Sequence, residues 1–252
     1  MITGTRTGSA LRSPTVFADT CANDLGSQRD LSEPDGAQAP AMLMKLLYAP
    51  QSPYARKVRA AAIELGLDGE MELEYVEAVP GRPNRGFRET ANPLGKIPAL
   101  ITRTGETIFD STVICEYLDQ LAGGGRLFPY GRDRWRVLSN HALAQGMCDA
   151  IILIRYETWL RPDTHRWPTW INEQWDKIWS GLAWFDAHPD QLGGTVNISH
   201  LALGSLIGYM DFRFPETSWR QRFPVVASWF ADLTQRPSFA RTVPSQPGTH
   251  RP

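Results

Sequence analysis

The sequence predicts an α/β domain of βαβ then ββα order, followed by an all-α domain. Three observations carry this prediction. Short apolar segments of strand length flank one helix-length segment between residues 43 and 75; two further strand-like segments and a helix follow to Leu121; and all nine tryptophans lie at Trp135 or later, beyond the Gly123-Gly124-Gly125 triplet. The change in composition across the triplet marks a linker between two domains, which a chain of 252 residues is long enough to form.

Leu43 to Tyr48 reads as a short apolar strand, and Ala49-Pro50-Gln51-Ser52-Pro53 as a turn that opens a helix. Ser52 suits the N-cap and Pro53 the first helical position. That helix turns Val58, Ala61, Ala62 and Leu65 to a core and Arg56, Lys57 and Arg59 largely outward, and stops at Gly66. Met71, Leu73 and Tyr75 alternate with Glu72 and Glu74, the period of a half-buried strand. Ala99 to Thr102 and Thr107 to Phe109 pair as a hairpin around Thr104-Gly105. Ser111 then caps a helix whose Val113, Ile114, Tyr117, Leu118 and Leu121 share one face. This order is the thioredoxin-like layout. In the second domain Ile171, Trp175, Ile178, Trp179, Leu182 and Phe185 form a wide helical stripe, read as core.

The resulting organisation is an extension over residues 1–41, an α/β domain over 42–122, a linker over 123–131, a helical domain over 132–243 and a tail over 244–252. The extension is rich in Gly, Ser, Thr, Asp and Pro and poor in large apolar residues, so it is expected to be disordered, or to precede a true start at Met42 or Met44. It lacks the continuous apolar segment of a signal peptide. No apolar run approaches the roughly 20 residues that a membrane-spanning helix needs. The formal net charge of -1 gives no reason to expect nucleic acid or an anionic membrane as partner. Cys21, Cys115 and Cys148 are far apart, with no Cys-x-x-Cys pair and no His at metal-ligand spacing, which fits a reducing cytoplasm and no metal.

Three segments have chemical potential. Ser52 stands where free backbone N–H groups and the helix dipole favour an anion such as a thiolate. A hydroxyl donor there lowers a thiol pKa from about 8.5 without becoming a nucleophile itself. Taken alone, Ser-Pro is an ordinary cap. A hydrolase serine is disfavoured, since Ser52 lacks a Gly-x-Ser-x-Gly setting and no His is near it in sequence. In Asn92 to Leu100, a cis Ile97-Pro98 bond would expose the backbone of Ile97 to an extended peptide; an ordinary junction between loop and strand is the plain alternative. Asp110-Ser111 can hold an ammonium and a carboxylate, or simply cap a helix.

In this order the three segments resemble the glutathione transferase family, with the match running from Met44 to about Phe239. Ser52-Pro53-Tyr54-Ala55-Arg56-Lys57-Val58-Arg59 looks like the serine-type turn of bacterial and tau-like members, Asn92 to Leu100 like the cis-proline segment, and Asp110-Ser111 like the acidic-Ser dipeptide. The resemblance implies glutathione as co-substrate. It implies that Ser52 hydrogen-bonds the thiolate, that the Ile97 backbone beside Pro98 pairs with the cysteinyl unit, that Asp110 and Ser111 grip the γ-glutamyl end, and that Lys96 is a candidate for the glycyl carboxylate. It further implies a homodimer and a small hydrophobic electrophile, with Tyr54, Tyr156 and Trp159 as candidate walls. Serine rather than cysteine at position 52 points to conjugation, ether cleavage or dehalogenation instead of disulfide chemistry. A non-catalytic ligand- or protein-binding module of the same fold is the alternative. Asn197 to Ala202 resembles the family's buried capping box, with His200 where an acid is usual, so the reciprocal hydrogen bond changes partner or is lost.

Overall fold

Four strands and three helices build the first half of the fold in the computed structural model, which describes residues 43–247. The expected extension over 1–41 lies outside the described residues, as do Cys21 and the end of the tail. In chain order the elements are β1 (Met44–Tyr48), α1 (Pro53–Leu65), β2 (Met71–Tyr75), α2 (Arg85–Thr90), β3 (Ala99–Ile101), β4 (Thr107–Ile108) and α3 (Ser111–Leu121). The sheet order is β2-β1-β3-β4, with β1 and β2 parallel and the other neighbours antiparallel. This is the expected thioredoxin-like arrangement. The polar stretch before β3 also holds a short helix, α2. Asn84 caps it through Phe87 N–H at 3.0 Å, and Phe87 joins Leu47, Val76, Ala91 and Ala99 in a small core of their own.

The helical half consists of α4 (Asp133–Trp159), α5 (Pro168–Ala187), α6 (Ile198–Arg213), α7 (Trp219–Arg222), α8 (Pro224–Thr234) and α9 (Pro237–Ala240). On α5, Ile178, Leu182 and Phe185 are buried, while Trp175 stacks on Trp179 at 4.9 Å and Trp179 on Phe223 at 6.3 Å, so the stripe is core as expected. By length and composition α4 could cross a membrane, an exception to the expectation of no such segment; half of its apolar stretch is buried, and it packs on α5 and α6.

Four local expectations are corrected. Arg56 and Lys57 do not point outward but are 4% and 1% exposed, because α1 is packed by α3, α6 and α9 and shares its apolar core with β1. Ala55, Ala60, Ala61 and Ala62, all buried, are what let so many neighbours approach. β2 is an edge strand, and its Leu73 and Tyr75 are exposed rather than half-buried. Asp110, not Ser111, caps α3, its Oδ1 accepting from Thr112 N–H at 2.9 Å. The core face of α3 accordingly rotates to Ser111, Ile114, Cys115 and Leu118, leaving Val113 and Leu121 exposed.

Gly66, with φ of 77°, ends α1 as expected. Further along, α9 and its flanks close back on α1. Arg236 forms a bidentate pair with Glu64, Ser238 Oγ donates to the same carboxylate, and Arg241 pairs with Asp68. Arg56 Nη2 donates to Phe239 C=O at 3.3 Å, and its guanidinium lies against Gly208, where any Cβ would collide with it. At the expected linker, Asp119 is wholly buried and accepts from the N–H groups of Gly125, Arg126, Leu127 and Phe128. Leu127 C=O in turn receives Ile198 N–H at the start of α6. There Asn197 caps through Ser199 N–H at 3.0 Å, and His200 has changed partner, its Nε2 lying 3.0 Å from Gln191 C=O. Among the described residues no group of three or more His, Cys, Asp or Glu is placed to hold a metal.

Candidate functional site

The strand register gathers the three predicted segments at one end of the sheet. Leu47 of β1 pairs with Ala99 of β3, so Ile97 and Pro98, immediately before β3, lie beside the end of β1 from which the Ser52 turn departs. Leu100 pairs with Ile108 of β4, so Asp110 emerges next to Pro98. The N-termini of α1 and α3 therefore open onto the same edge, each with unpaired helical N–H groups and the positive end of a dipole.

Ser52 N–H donates to Ala49 C=O at 3.0 Å, closing the turn, and Ser52 Oγ accepts from Ala55 N–H at 3.2 Å as the N-cap. A capping hydroxyl keeps its own proton available for donation. The Ile97-Pro98 peptide is cis, and so is Phe109-Asp110. Asn92 shapes the approach, with no local pattern in the sequence to mark it: its amide donates to Lys96 C=O at 2.7 Å and accepts from Leu94 N–H at 3.0 Å. Pro98 is buried, Ile97 partly so and Lys96 exposed. The Ile97 N–H and C=O make no hydrogen bond among the described residues. Asp110 is exposed, with Oδ1 occupied by the cap and Oδ2 accepting nothing among the described residues, while Ser111 is buried at the first turn of α3.

Behind these segments sits a polar network that sequence reasoning missed. Lys57 Nζ donates to Gln145 Oε1 at 2.8 Å and Thr112 Oγ1 at 3.3 Å, and lies 3.2 Å from His141 Nε2. Three acceptors thus meet the three donors of an ammonium. Burial pushes the Lys57 pKa down, opposed by the carboxylates of Asp110 and Asp149 among others. Burial and then the Lys57 charge push His141 down to about 3, so its imidazole is neutral and can accept. The alanines of α1 were the available signal that this helix is packed on several sides and that a lysine within it would be enclosed.

Of the three candidate wall residues, Tyr54 directs its hydroxyl to Asp149 of α4 at 2.5 Å, and burial raises its pKa far above the ordinary value. Lys57 reaches His141 and Gln145, whereas Tyr54, one turn nearer the start of α1, reaches Asp149. The two helices are therefore antiparallel, and the turns of α4 beyond Asp149, which carry Tyr156 and Trp159, lie past the Ser52 end of α1. Tyr156 is partly buried and Trp159 is 49% exposed with Arg155 over its ring at 4.6 Å. Cys115 and Cys148 are enclosed, their thiols pushed up to about 12 by burial, which leaves neither as a nucleophile.

The sequence matches the model of the glutathione S-transferase N-terminal domain over residues 46–126 and that of the C-terminal domain over residues 168–232. It is 30% identical to an uncharacterised GST-like protein of Escherichia coli, YibF, over 206 residues, which are 80% of this chain and 98% of the relative. A glutathione transferase family member from Pseudomonas fluorescens Pf-5, solved with bound glutathione, is 39% identical, with 80% of this chain and 99% of that chain covered and a TM-score of 0.77. A structure from the same species with bound S-(propanoic acid)-glutathione gives 39% identity, 80% and 100% coverage and a TM-score of 0.74.

Proposed function

We propose, from the premise that the chain belongs to the glutathione transferase family, that it binds glutathione at the Ser52 edge of the sheet and activates its thiol for attack on an electrophilic carbon. The observation that carries this is the convergence of Ser52, the cis Ile97-Pro98 segment and Asp110-Ser111 on one edge, each with polar groups left open to a ligand.

In this reading the Ser52 hydroxyl donates to the thiolate while its oxygen still accepts from Ala55 N–H. The α1 N-terminus supplies further favourable potential. The free N–H and C=O of Ile97 pair with the cysteinyl backbone as an added strand would. Asp110 Oδ2 takes the γ-glutamyl ammonium, the N-terminus of α3 at Ser111 takes its carboxylate, and Lys96 is within the exposed stretch that meets the glycyl end. Catalysis then consists of lowering the thiol pKa and positioning the electrophile against the thiolate. The carbon acquires a bond to sulfur, and the electrophile's leaving group, or a proton taken up at an activated double bond, completes the balance. The S-(propanoic acid)-glutathione held by the Pseudomonas relative is a thioether of this kind.

The test is a pH titration of thiolate absorbance for glutathione bound to the wild type and to Ser52→Ala. The wild type is expected to lower the bound thiol pKa below its free value, and Ser52→Ala to raise it again by about 1–2 units, the scale of one charge-assisted hydrogen bond. Identical titrations would remove Ser52 from the mechanism. No glutathione binding by the wild type would leave the non-catalytic module as the reading.

A homodimer belongs to the same proposal. Phe109, Val113 and Trp135 are exposed, and a groove of about 530 Å³ lined by Phe109, Val113 and Tyr117 runs between β4 and α3. Light scattering is expected to give twice the chain mass of 28.2 kDa; a monomer mass would refute it.

A further inference from the structure

Two arginines stand together without a counter-ion beyond the Ser52 turn. Arg155 lies near the end of α4 and Arg213 is the last residue of α6. The two helices pack side by side, and both run past α1 toward these arginines, α4 through the bond between Tyr54 and Asp149 and α6 through Gly208 against Arg56. The two are close enough for the Arg213 charge to add to burial in lowering the Arg155 pKa, and both charges oppose the rise that burial imposes on Tyr209. Neither arginine forms an ion pair or a side-chain hydrogen bond among the described residues, and Arg213 Nε is buried with no hydrogen-bond partner among them.

Three carboxylates of these two helices are engaged elsewhere. Glu157 accepts from Arg161 Nε at 2.7 Å and Trp167 N–H at 3.2 Å. Asp211 accepts from Trp219 Nε1 and both terminal nitrogens of Arg220. Asp149 holds Tyr54. A cation in the last turn of a helix is favoured by the dipole, which accounts for a charge at Arg213. It does not account for a second, repelling arginine next to it, nor for the unpaired buried Nε.

Both guanidiniums lie over aromatic faces: Arg155 over Trp159 at 4.6 Å and Arg213 over Phe212 at 4.2 Å. Stacking of this kind holds a guanidinium plane while leaving its edge N–H groups free, the geometry that recognises a carboxylate in bidentate fashion. The connection to the Ser52 turn is short. Tyr54, two residues from Ser52, bonds to Asp149 of α4, and Arg155 follows less than two turns further along the same helix.

We propose that Arg155 and Arg213, framed by Tyr156, Trp159 and Phe212, bind a negatively charged group on the electrophile, so that the second substrate is an aromatic acid rather than a neutral hydrophobe. The inference rests on the glutathione transferase reading of the Ser52 turn. It redefines one part of it, since the aromatic walls still accept a flat apolar body while the arginine edges select its charge.

The test compares two thioethers, S-benzylglutathione and S-(carboxybenzyl)glutathione, which differ only in the carboxylate. Calorimetry on the wild type is expected to show the acid bound about tenfold more tightly, the gain typical of a hydrogen bond to a charged group. Arg155→Gln and Arg213→Gln should each bring the affinity ratio close to one, and Arg213→Lys should restore part of it. The ratio, unlike either affinity alone, is insensitive to a general loosening of the fold. Equal affinities in the wild type, or a preference that survives both glutamine variants, would overturn the arginine assignment while leaving the glutathione site intact. Failure of the wild type to bind either thioether would overturn both readings, and is thereby distinguished from failure of this one.

Discussion

Asp119→Ala is expected to destabilise the fold by about 3–5 kcal/mol, the scale for removing a buried charged acceptor from its donors. Four consecutive backbone N–H groups, from Gly125 to Phe128, converge on this one carboxylate at 2.8–3.3 Å. Leu127 and Phe128 are 1% exposed, so water cannot replace the acceptor at their amides without opening the core. Gly125 and the two residues before it, Gly123 and Gly124, all have positive φ, conformations with little intrinsic preference for this one path. The side chain of Asp119 therefore fixes where the chain goes after α3, and through Leu127 C=O it fixes the start of α6. Thermal unfolding followed by circular dichroism should show a drop of roughly 10 °C for a chain of this size. Asp119→Asn, which keeps one acceptor oxygen, should lose less. A melting temperature within about two degrees of the wild type would mean that these amides find water instead.

The elements of the first half were legible because each is announced by a local signal. Ser52 and Pro53 open α1, Gly66 closes it, and Thr104-Gly105 sits between β3 and β4. The three candidate segments were legible for the same reason, since each lies at a cap or turn whose chemistry is written in two or three adjacent residues. What sequence could not supply was the order β2-β1-β3-β4, which alone turns three separate capping signals into one site. Nor could it reveal that β2 lies at an edge, where alternation no longer means burial, so that Leu73 and Tyr75 came out exposed.

The buried polar residues were the least legible part. Arg56 and Lys57 read as a solvated pair on α1 because periodicity assigns a helix one core face, whereas α1 is packed by α3, α6 and α9 and hydrogen-bonded to α4. Their partners come from far along the chain: Arg56 meets Phe239 and Thr242, and Lys57 meets Thr112, His141 and Gln145. No local pattern predicts such pairs. The same limit applied to Asp119, which reads as an ordinary polar residue near a helix end until its four donors are seen. Arg155 and Arg213, 58 positions apart, likewise show no motif, and only the packing of α4 against α6 brings them near each other.

His141 should make the fold sensitive to acid in a defined window. Its imidazole is 6% exposed and held down to about 3 from an ordinary 6.5, first by burial and then by the Lys57 charge 3.2 Å away, with Asp110 opposing. The unfolded chain therefore binds a proton below pH 6.5 that the folded chain refuses, so the contribution to stability is complete above pH 6.5 and is lost as the pH falls toward 3. The loss approaches 1.4 kcal/mol per pH unit, or about 2–3 kcal/mol by pH 4.5. His141→Gln offers Lys57 a carbonyl oxygen in place of Nε2 but cannot titrate. Urea unfolding of both proteins at pH 7 and pH 4.5 should show the wild type losing about 2 kcal/mol more than the variant across that interval. His200, also held below its ordinary value by burial, titrates alike in both proteins and cancels from the difference. Parallel losses would mean that the fold accommodates a protonated His141 beside Lys57. That would in turn require the ammonium to surrender its proton or its position, and the link between α1, α3 and α4 beneath the candidate site would have to be redrawn.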